Sequence, residues 1–137
     1  MLLDITHNDP VIRQKILELS GPAFSWIQRF KMKGIGSGKL IIEDSGEPLK
    51  ELLYENTDTL YCNIELRTKG VVAGFMTGRR VYGWVIPYDQ LVVIQNQDQL
   101  TVTGPDMFMK LKAPFNQSIN VKFLEKLTKL QNKIRAN

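Results

Sequence analysis

Reactive side chains are scarce in this 137-residue chain, which holds one cysteine, Cys62, and one histidine, His7. A lone cysteine excludes an intrachain disulfide and a cysteine metal cluster, and it fits a reducing compartment. One histidine and one cysteine cannot build a closed zinc site. Nucleophilic catalysis needs a histidine positioned as base. His7 lies near the start of the chain, in a segment expected to be mobile. Cys62 shares a strand face with Leu60, Ile64 and Leu66, where a small buried hydrophobe is the expected role. No apolar run has the length needed to span a bilayer. Met1 to Pro10 lacks the basic-then-apolar order of a secretory leader, so a soluble cytoplasmic protein is expected. No internal repeat, low-complexity tract or linker divides the sequence. These gaps argue against an enzyme, a small enzyme with an unrecognised site being an alternative reading, and no cofactor is expected.

Two further patterns end in exclusions. Gly34-Ile35-Gly36-Ser37-Gly38-Lys39 invites a nucleotide-binding reading but fails both templates. A phosphate loop needs glycine at position 33 and Ser or Thr after the lysine, where Lys33 and Leu40 stand. A dinucleotide fingerprint needs glycine at 39 and a helix to follow, not Leu40-Ile41-Ile42. A flexible glycine loop is the plain reading. The carboxylates Glu43, Asp44, Glu47, Glu51, Glu55 and Asp58 lack calcium-loop spacing and read as a solvated acidic segment.

Ordered structure is what the chain has in quantity. From Leu60 to Lys112 it reads strand after strand. Tyr61 to Arg67 alternates apolar and polar with period two. Val71–Met76, Val81–Ile86, Leu91–Gln95, Gln99–Thr103 and Met107–Leu111 continue the series. Short connections such as Lys69-Gly70, Thr77-Gly78 and Asn96-Gln97-Asp98 imply antiparallel neighbours. Before them, Asp9-Pro10 followed by Ile12, Ile16 and Leu19 predicts a short helix that Gly21-Pro22 stops. Residues 24–30 fit both periods: Phe24, Trp26 and Gln28 alternate, while Trp26, Ile27 and Phe30 share a helix face. The strand is the preferred reading. Lys31 to Gly38 then becomes a loop, Lys39–Glu43 a short strand and Pro48–Tyr54 one or two helical turns. A C-terminal amphipathic helix is predicted over about Ser118–Arg135, from Phe123, Leu127, Leu130 and Ile134. The expected core is Ile64, Leu66, Val85, Val93, Leu100, Val102, Phe123, Leu127 and Leu130. The aromatic run Tyr82, Trp84, Ile86 and Tyr88 is expected to pack inward.

The fold class is therefore α+β and mainly β, about seven antiparallel strands and one closing helix in a single domain, residues 1–137. Tyr82-Gly83-Trp84-Val85-Ile86-Pro87-Tyr88-Asp89-Gln90-Leu91 resembles the segment of bacterial pleckstrin-homology-like (PH-like) domains where a strand ends in an Ile-Pro-x-x-x-Leu turn. Leu100-Thr101-Val102 and Phe108-Met109-Lys110-Leu111 resemble that family's last two strands. The resemblance covers residues 39–135 and leaves 1–38 as an N-terminal helix and extension. It implies a strongly bent sheet or partial barrel whose open end the C-terminal helix plugs.

The resemblance also implies a binding module for lipids, peptides or proteins. Many eukaryotic members bind phosphoinositides through basic residues in and beside the first hairpin loop. With 23–30 as the first strand, that loop holds Lys31, Lys33 and Lys39, but Leu40-Ile41-Ile42-Glu43 replaces the usual second basic pair. With 39–43 as the first strand, the loop is acidic and repels phosphate. Charge is uneven along the chain. Five basic and one acidic group in residues 113–137 give that segment alone the +4 of the whole. Lys122, Lys126, Lys129 and Lys133 recur at i, i+4, i+7 and i+11 as a basic stripe expected to face solvent. A protein partner or self-association is expected, with an anionic membrane surface met by the lysine stripe as the alternative. Nucleic acid is not expected, because aromatic and basic residues do not interleave on one strand face.

Overall fold

The computed structural model describes residues 1–55 and 58–136, with the backbone alone at 54 and 55. The side chain of Glu55 and the end of the acidic segment at 56–57 thus lie outside the described residues. Among the described residues the chain forms β1 (Leu2–Asp4), α1 (Pro10–Ser20), α2 (Trp26–Met32), β2 (Gly36–Ser45) and α3 (Leu49–Glu55). There follow β3 (Tyr61–Leu66), β4 (Gly70–Thr77), β5 (Arg80–Pro87), a 3₁₀ turn (Tyr88–Gln90), β6 (Val92–Asn96), β7 (Gln99–Thr103), β8 (Phe108–Lys112) and α4 (Val121–Arg135). The strands make one antiparallel sheet in the order β1-β5-β4-β3-β2-β8-β7-β6. The expected class, mainly β with a C-terminal helix, is the one observed.

Each meander is a run of neighbouring hairpins, and β2 joins the two. Its first half pairs with β3 and its second half with β8, with a register shift inside each ladder. Such shifts bend a strand and increase its twist. The bend reaches across the whole sheet. Trp84 of β5 donates its indole N–H to Asp106 Oδ1 at 3.2 Å, in the turn between β7 and β8. In a flat sheet β5 and β8, four places apart, would stand about 19 Å from one another. The sheet must therefore coil to bring them together.

The coiled interior holds the core. Trp84, Ile86, Tyr88, Ile64, Leu66, Leu100, Val102, Met109 and Leu111 belong to one buried cluster. Four members of the aromatic run (Tyr82 to Tyr88) thus pack as expected, with Tyr82 half-buried and stacked on Phe75 at 5.4 Å between ring centroids. Helix α4 lies over this cluster through Phe123 and Leu127, with Leu124, Leu130 and Ile134 half-buried beside them. Gln131 also turns inward. Its amide donates to the carbonyls of Tyr88 at 3.3 Å and Leu91 at 2.8 Å and fastens the helix to the β5–β6 corner.

Val85 is buried on the other face of the sheet. It alternates with Trp84 and shares the face of Gly83, which Ile5 and Val72 approach closely. Helix α1 packs across β4 and β5 there and makes a second, smaller apolar layer.

Four local expectations differ from the structure. Residues 26–32 are helix, not strand, because Ser25 and Gln28 form a capping box: Gln28 N–H donates to Ser25 Oγ at 3.2 Å and Ser25 N–H to Gln28 Oε1 at 2.9 Å. The glycine segment is mostly strand, since β2 begins at Gly36 and runs ten residues. The first three-residue strand, β1, pairs with β5 from Leu2↔Trp84 to Asp4↔Tyr82, so the chain start is tied down rather than loose. Finally α4 starts at Val121, where Asn120 Oδ1 accepts from Phe123 N–H at 3.1 Å, three residues later than the apolar period suggested.

Candidate functional site

Helix α2 is fixed from below. Phe24, just before it, is buried, and Met32 packs half-buried on the core. Arg29 reaches back from the helix, its Nε donating to the Phe24 carbonyl at 3.0 Å. Its guanidinium also stands 3.8 Å from Glu65 of β3, whose other oxygen pairs with Arg67 at 3.0 Å. At the far end Lys33 adopts the left-handed conformation, φ 60°, and closes the helix. The next amide, of Gly34, donates to the Arg29 carbonyl at 2.9 Å. The ammonium of Lys126, from α4, lies 3.1 Å from the Gly34 carbonyl and 3.3 Å from that of Lys33. A cation at a helix C-terminus complements its carbonyls. Two helices far apart in sequence are thereby joined.

The outward side of α2 is apolar. Trp26 is 78% exposed, Phe30 82% and Ile27 52%. At about 100° per residue Trp26 and Phe30 lie about 40° apart, Ile27 lies beside them, and Met32 points the opposite way. The same geometry sets Lys31 on one flank of this ridge, and Lys33 follows as the exposed left-handed residue at its C-terminal end. Single exposed hydrophobes are ordinary on a protein surface, but a contiguous apolar trio on a firmly held helix is a candidate contact site. The sequence around it carries charge of one sign. Between Glu18 and Glu43 the sequence has no carboxylate, while Arg29, Lys31, Lys33 and Lys39 all fall within that stretch.

The anticipated lysines are distributed as follows. Lys31 is on α2 and Lys33 is its cap, so neither lies in a hairpin loop. Lys39 is within β2, its ammonium 4.1 Å from the centre of the Tyr61 ring. It stands on a shallow groove with Asn63, Met76 and Val81. Of the α4 stripe, Lys122, Lys129 and Lys133 are exposed as expected, whereas Lys126 is half-buried and bound to the end of α2. The structure therefore joins one member of the α4 stripe, Lys126, to the end of α2 at Lys33, and sets Lys39 over the Tyr61 ring on the sheet. The ridge itself escaped the sequence reading. Its signal was present in Ser25-x-x-Gln28 ahead of an apolar run, flanked by a stretch without acidic residues.

Other groups offer less chemistry. Cys62 is 1% exposed, and burial pushes its thiol up to about 12, so the thiolate is not formed near neutral pH. Burial likewise raises the Tyr88 phenol, which donates to the Arg67 carbonyl at 2.6 Å. His7 is exposed in the turn before α1. Arg80, beside the β4–β5 turn, is exposed and pairs with Asp4 at 2.9 Å. The hydroxyl and amide of Thr6, and then Arg80, hold the Asp4 carboxyl below its usual range. In the acidic segment Glu43 accepts from Gln99 at 3.2 Å and Asp44 from the Ser45 amide at 2.8 Å. Among the described residues no three His, Cys, Asp or Glu side chains gather as a metal site. Nor is any helix there long and apolar enough to cross a membrane. No family model, curated protein or solved structure matches the chain.

Proposed function

We propose that the chain is a non-catalytic binding module of PH-like type whose recognition face is the α2 ridge together with the adjoining part of α4. One observation carries this reading: Trp26, Ile27 and Phe30 are held outward by a helix that is capped at both ends and anchored to the sheet. Exposing that much apolar surface has no benefit to folding, so its use lies in contact with something else. The strand order supports the fold-family part. Without β1, the ladder runs β5-β4-β3-β2-β8-β7-β6, two meanders joined through their first and last strands, and α4 follows the final strand. A bent sheet with a closing helix is compatible with the resemblance of the Tyr82–Leu91 segment and supports that reading. The unreactive Cys62 thiol supports the absence of covalent chemistry at the chain's one cysteine.

Site-specific photo-crosslinking in living cells tests the reading. A benzophenone side chain at position 30 should yield a discrete protein or lipid adduct, and the same group at position 98, in the turn between β6 and β7, should not. Equal labelling at both positions, or none at position 30, would remove α2 as the recognition face.

A further inference from the structure

The ridge also indicates what kind of partner it meets. We propose that α2 seats on the surface of an anionic lipid bilayer, with Trp26, Ile27 and Phe30 entering the interface and Lys31 and Lys33 lying among the headgroup phosphates; this rests on α2 being the recognition face. Shape is the first ground. The apolar residues form a protruding ridge, and Trp26 and Phe30 present about four-fifths of their surface to water. A bilayer deforms around such a ridge, whereas a folded partner must carry a groove built to match it. Side-chain type is the second ground. Indole combines a large apolar body with one N–H donor, which suits the boundary between acyl chains and headgroups, and phenylalanine and isoleucine suit the layer just beneath.

Charge is the third ground. Lys31 lies on one flank of the ridge and Lys33 at its C-terminal end, both exposed, and the run from Leu19 to Ile42 has no acidic residue to repel phosphate. The carboxylate of Glu65, 3.8 Å from Arg29 of α2, is engaged by Arg29 and Arg67. Beyond the end of α2 the lysine stripe continues along α4, whose one acidic residue is the exposed Glu125. Lys126 touches the α2 terminus, and Lys122 and Lys129 are exposed one helical turn to either side of it. An amphipathic surface with aromatic centre and basic rim binds anionic lipid through both contributions at once. The lysine stripe alone would lack the apolar half of that pairing.

Tryptophan fluorescence can follow the event directly. The chain has two tryptophans, and Trp84 is fully buried, so a change in emission on adding vesicles reports Trp26. Phosphatidylcholine vesicles containing phosphatidylserine should shift the emission to shorter wavelength and sediment the protein, while pure phosphatidylcholine vesicles should do neither at the same lipid concentration. Trp26→Phe should abolish the shift but keep sedimentation. Lys31→Gln with Lys33→Gln should weaken partitioning about 25-fold, about fivefold for each lysine. Trp26→Ala with Phe30→Ala should weaken it at least about tenfold, with an unchanged melting temperature because both side chains are exposed.

Three results would overturn the proposal. One is no sedimentation with phosphatidylserine vesicles at low salt. A second is equal binding by the Trp26→Ala, Phe30→Ala variant, which would place the contact elsewhere. The third is full binding to neutral vesicles, which removes the basic rim from the mechanism. A protein adduct at position 30 without vesicle binding would refute the membrane partner and leave α2 as the recognition face.

Discussion

At the scale of single residues, burial decides what a group can do. Cys62 sits on the inner face of β3, 1% exposed, with no charge beside it to favour a thiolate. Its thiol rises from 9.0 to about 12 for that reason alone. The folded state therefore holds the proton over a range in which the unfolded chain releases it. Stability from this group is complete below pH 9 and is lost as pH rises towards 12. Its loss should approach about 1.4 kcal/mol per pH unit within that window. Urea unfolding at pH 8 and pH 10.5, wild type against Cys62→Ala, measures it: the alanine variant should show the shallower decline. An equal decline would mean that the thiol is not desolvated as placed. The inward direction of Cys62 was legible from its alternation with Tyr61 and Asn63. The tight fit at Gly21 was not. There φ is 74° and ψ 177°, a region open to glycine, and an added Cβ would run into Thr68 Oγ1. Gly21-Pro22 announced a helix stop, but only the fold says which residue crowds it.

Whole elements were legible where one period prevailed. Strands β3, β7 and β8 alternate, β4 to β6 are apolar-rich runs, and all are bounded by turn residues, so their existence followed from the pattern. Helix α1 had its Asp9 cap and first-position proline, and Asp9 Oδ1 accepts from Val11 N–H at 2.9 Å. Two elements escaped. Strand β1 is three residues long at the edge of the sheet, and its pairing with β5 rather than its own sequence creates it. In α2 two periods competed over seven residues, and side-chain capping settled the matter. Without the capping box the segment has little to hold it helical, since short helices are marginal by themselves. Ser25→Ala should therefore cost about 0.5–2 kcal/mol in global unfolding if α2 is part of the cooperative unit. Amide exchange at Gln28 should speed up in either case. Unchanged exchange at Gln28 would show that packing by Phe24 and Met32, not the cap, sets the helix. The recognition face depended on this one element, which is why a strand reading of residues 24–30 hid it.

For the molecule as a whole, curvature matters most, and period two does not encode it. Alternation tells which face a residue takes, but the coil of the sheet arises from the register shifts in β2 and from contacts such as Trp84 with Asp106. That coil leaves an interior which α4 closes. Leu127 is 3% exposed there, and Lys126 beside it faces away from the core to hold the end of α2. Closure of the core and support of the recognition face thus share one helix. Leu127→Ala should cost about 2–5 kcal/mol, a large part of the roughly 5–15 kcal/mol that holds a domain folded. Lys129→Ala, on the exposed side of the same helix, should stay within about 0.5 kcal/mol of wild type. The coupling predicts a second effect. A loosened α4 should withdraw Lys126 from the Lys33 and Gly34 carbonyls, so amides at the C-terminal end of α2 should exchange faster in Leu127→Ala than its stability loss alone accounts for. Chemical denaturation and native-state hydrogen exchange on the two variants measure both quantities. A stability loss below about 1 kcal/mol would mean that α4 does not plug the sheet. A full loss with α2 exchange rising only in proportion would mean that the plug and the recognition face are independent, and that α2 stands on Arg29, Phe24 and Met32 alone.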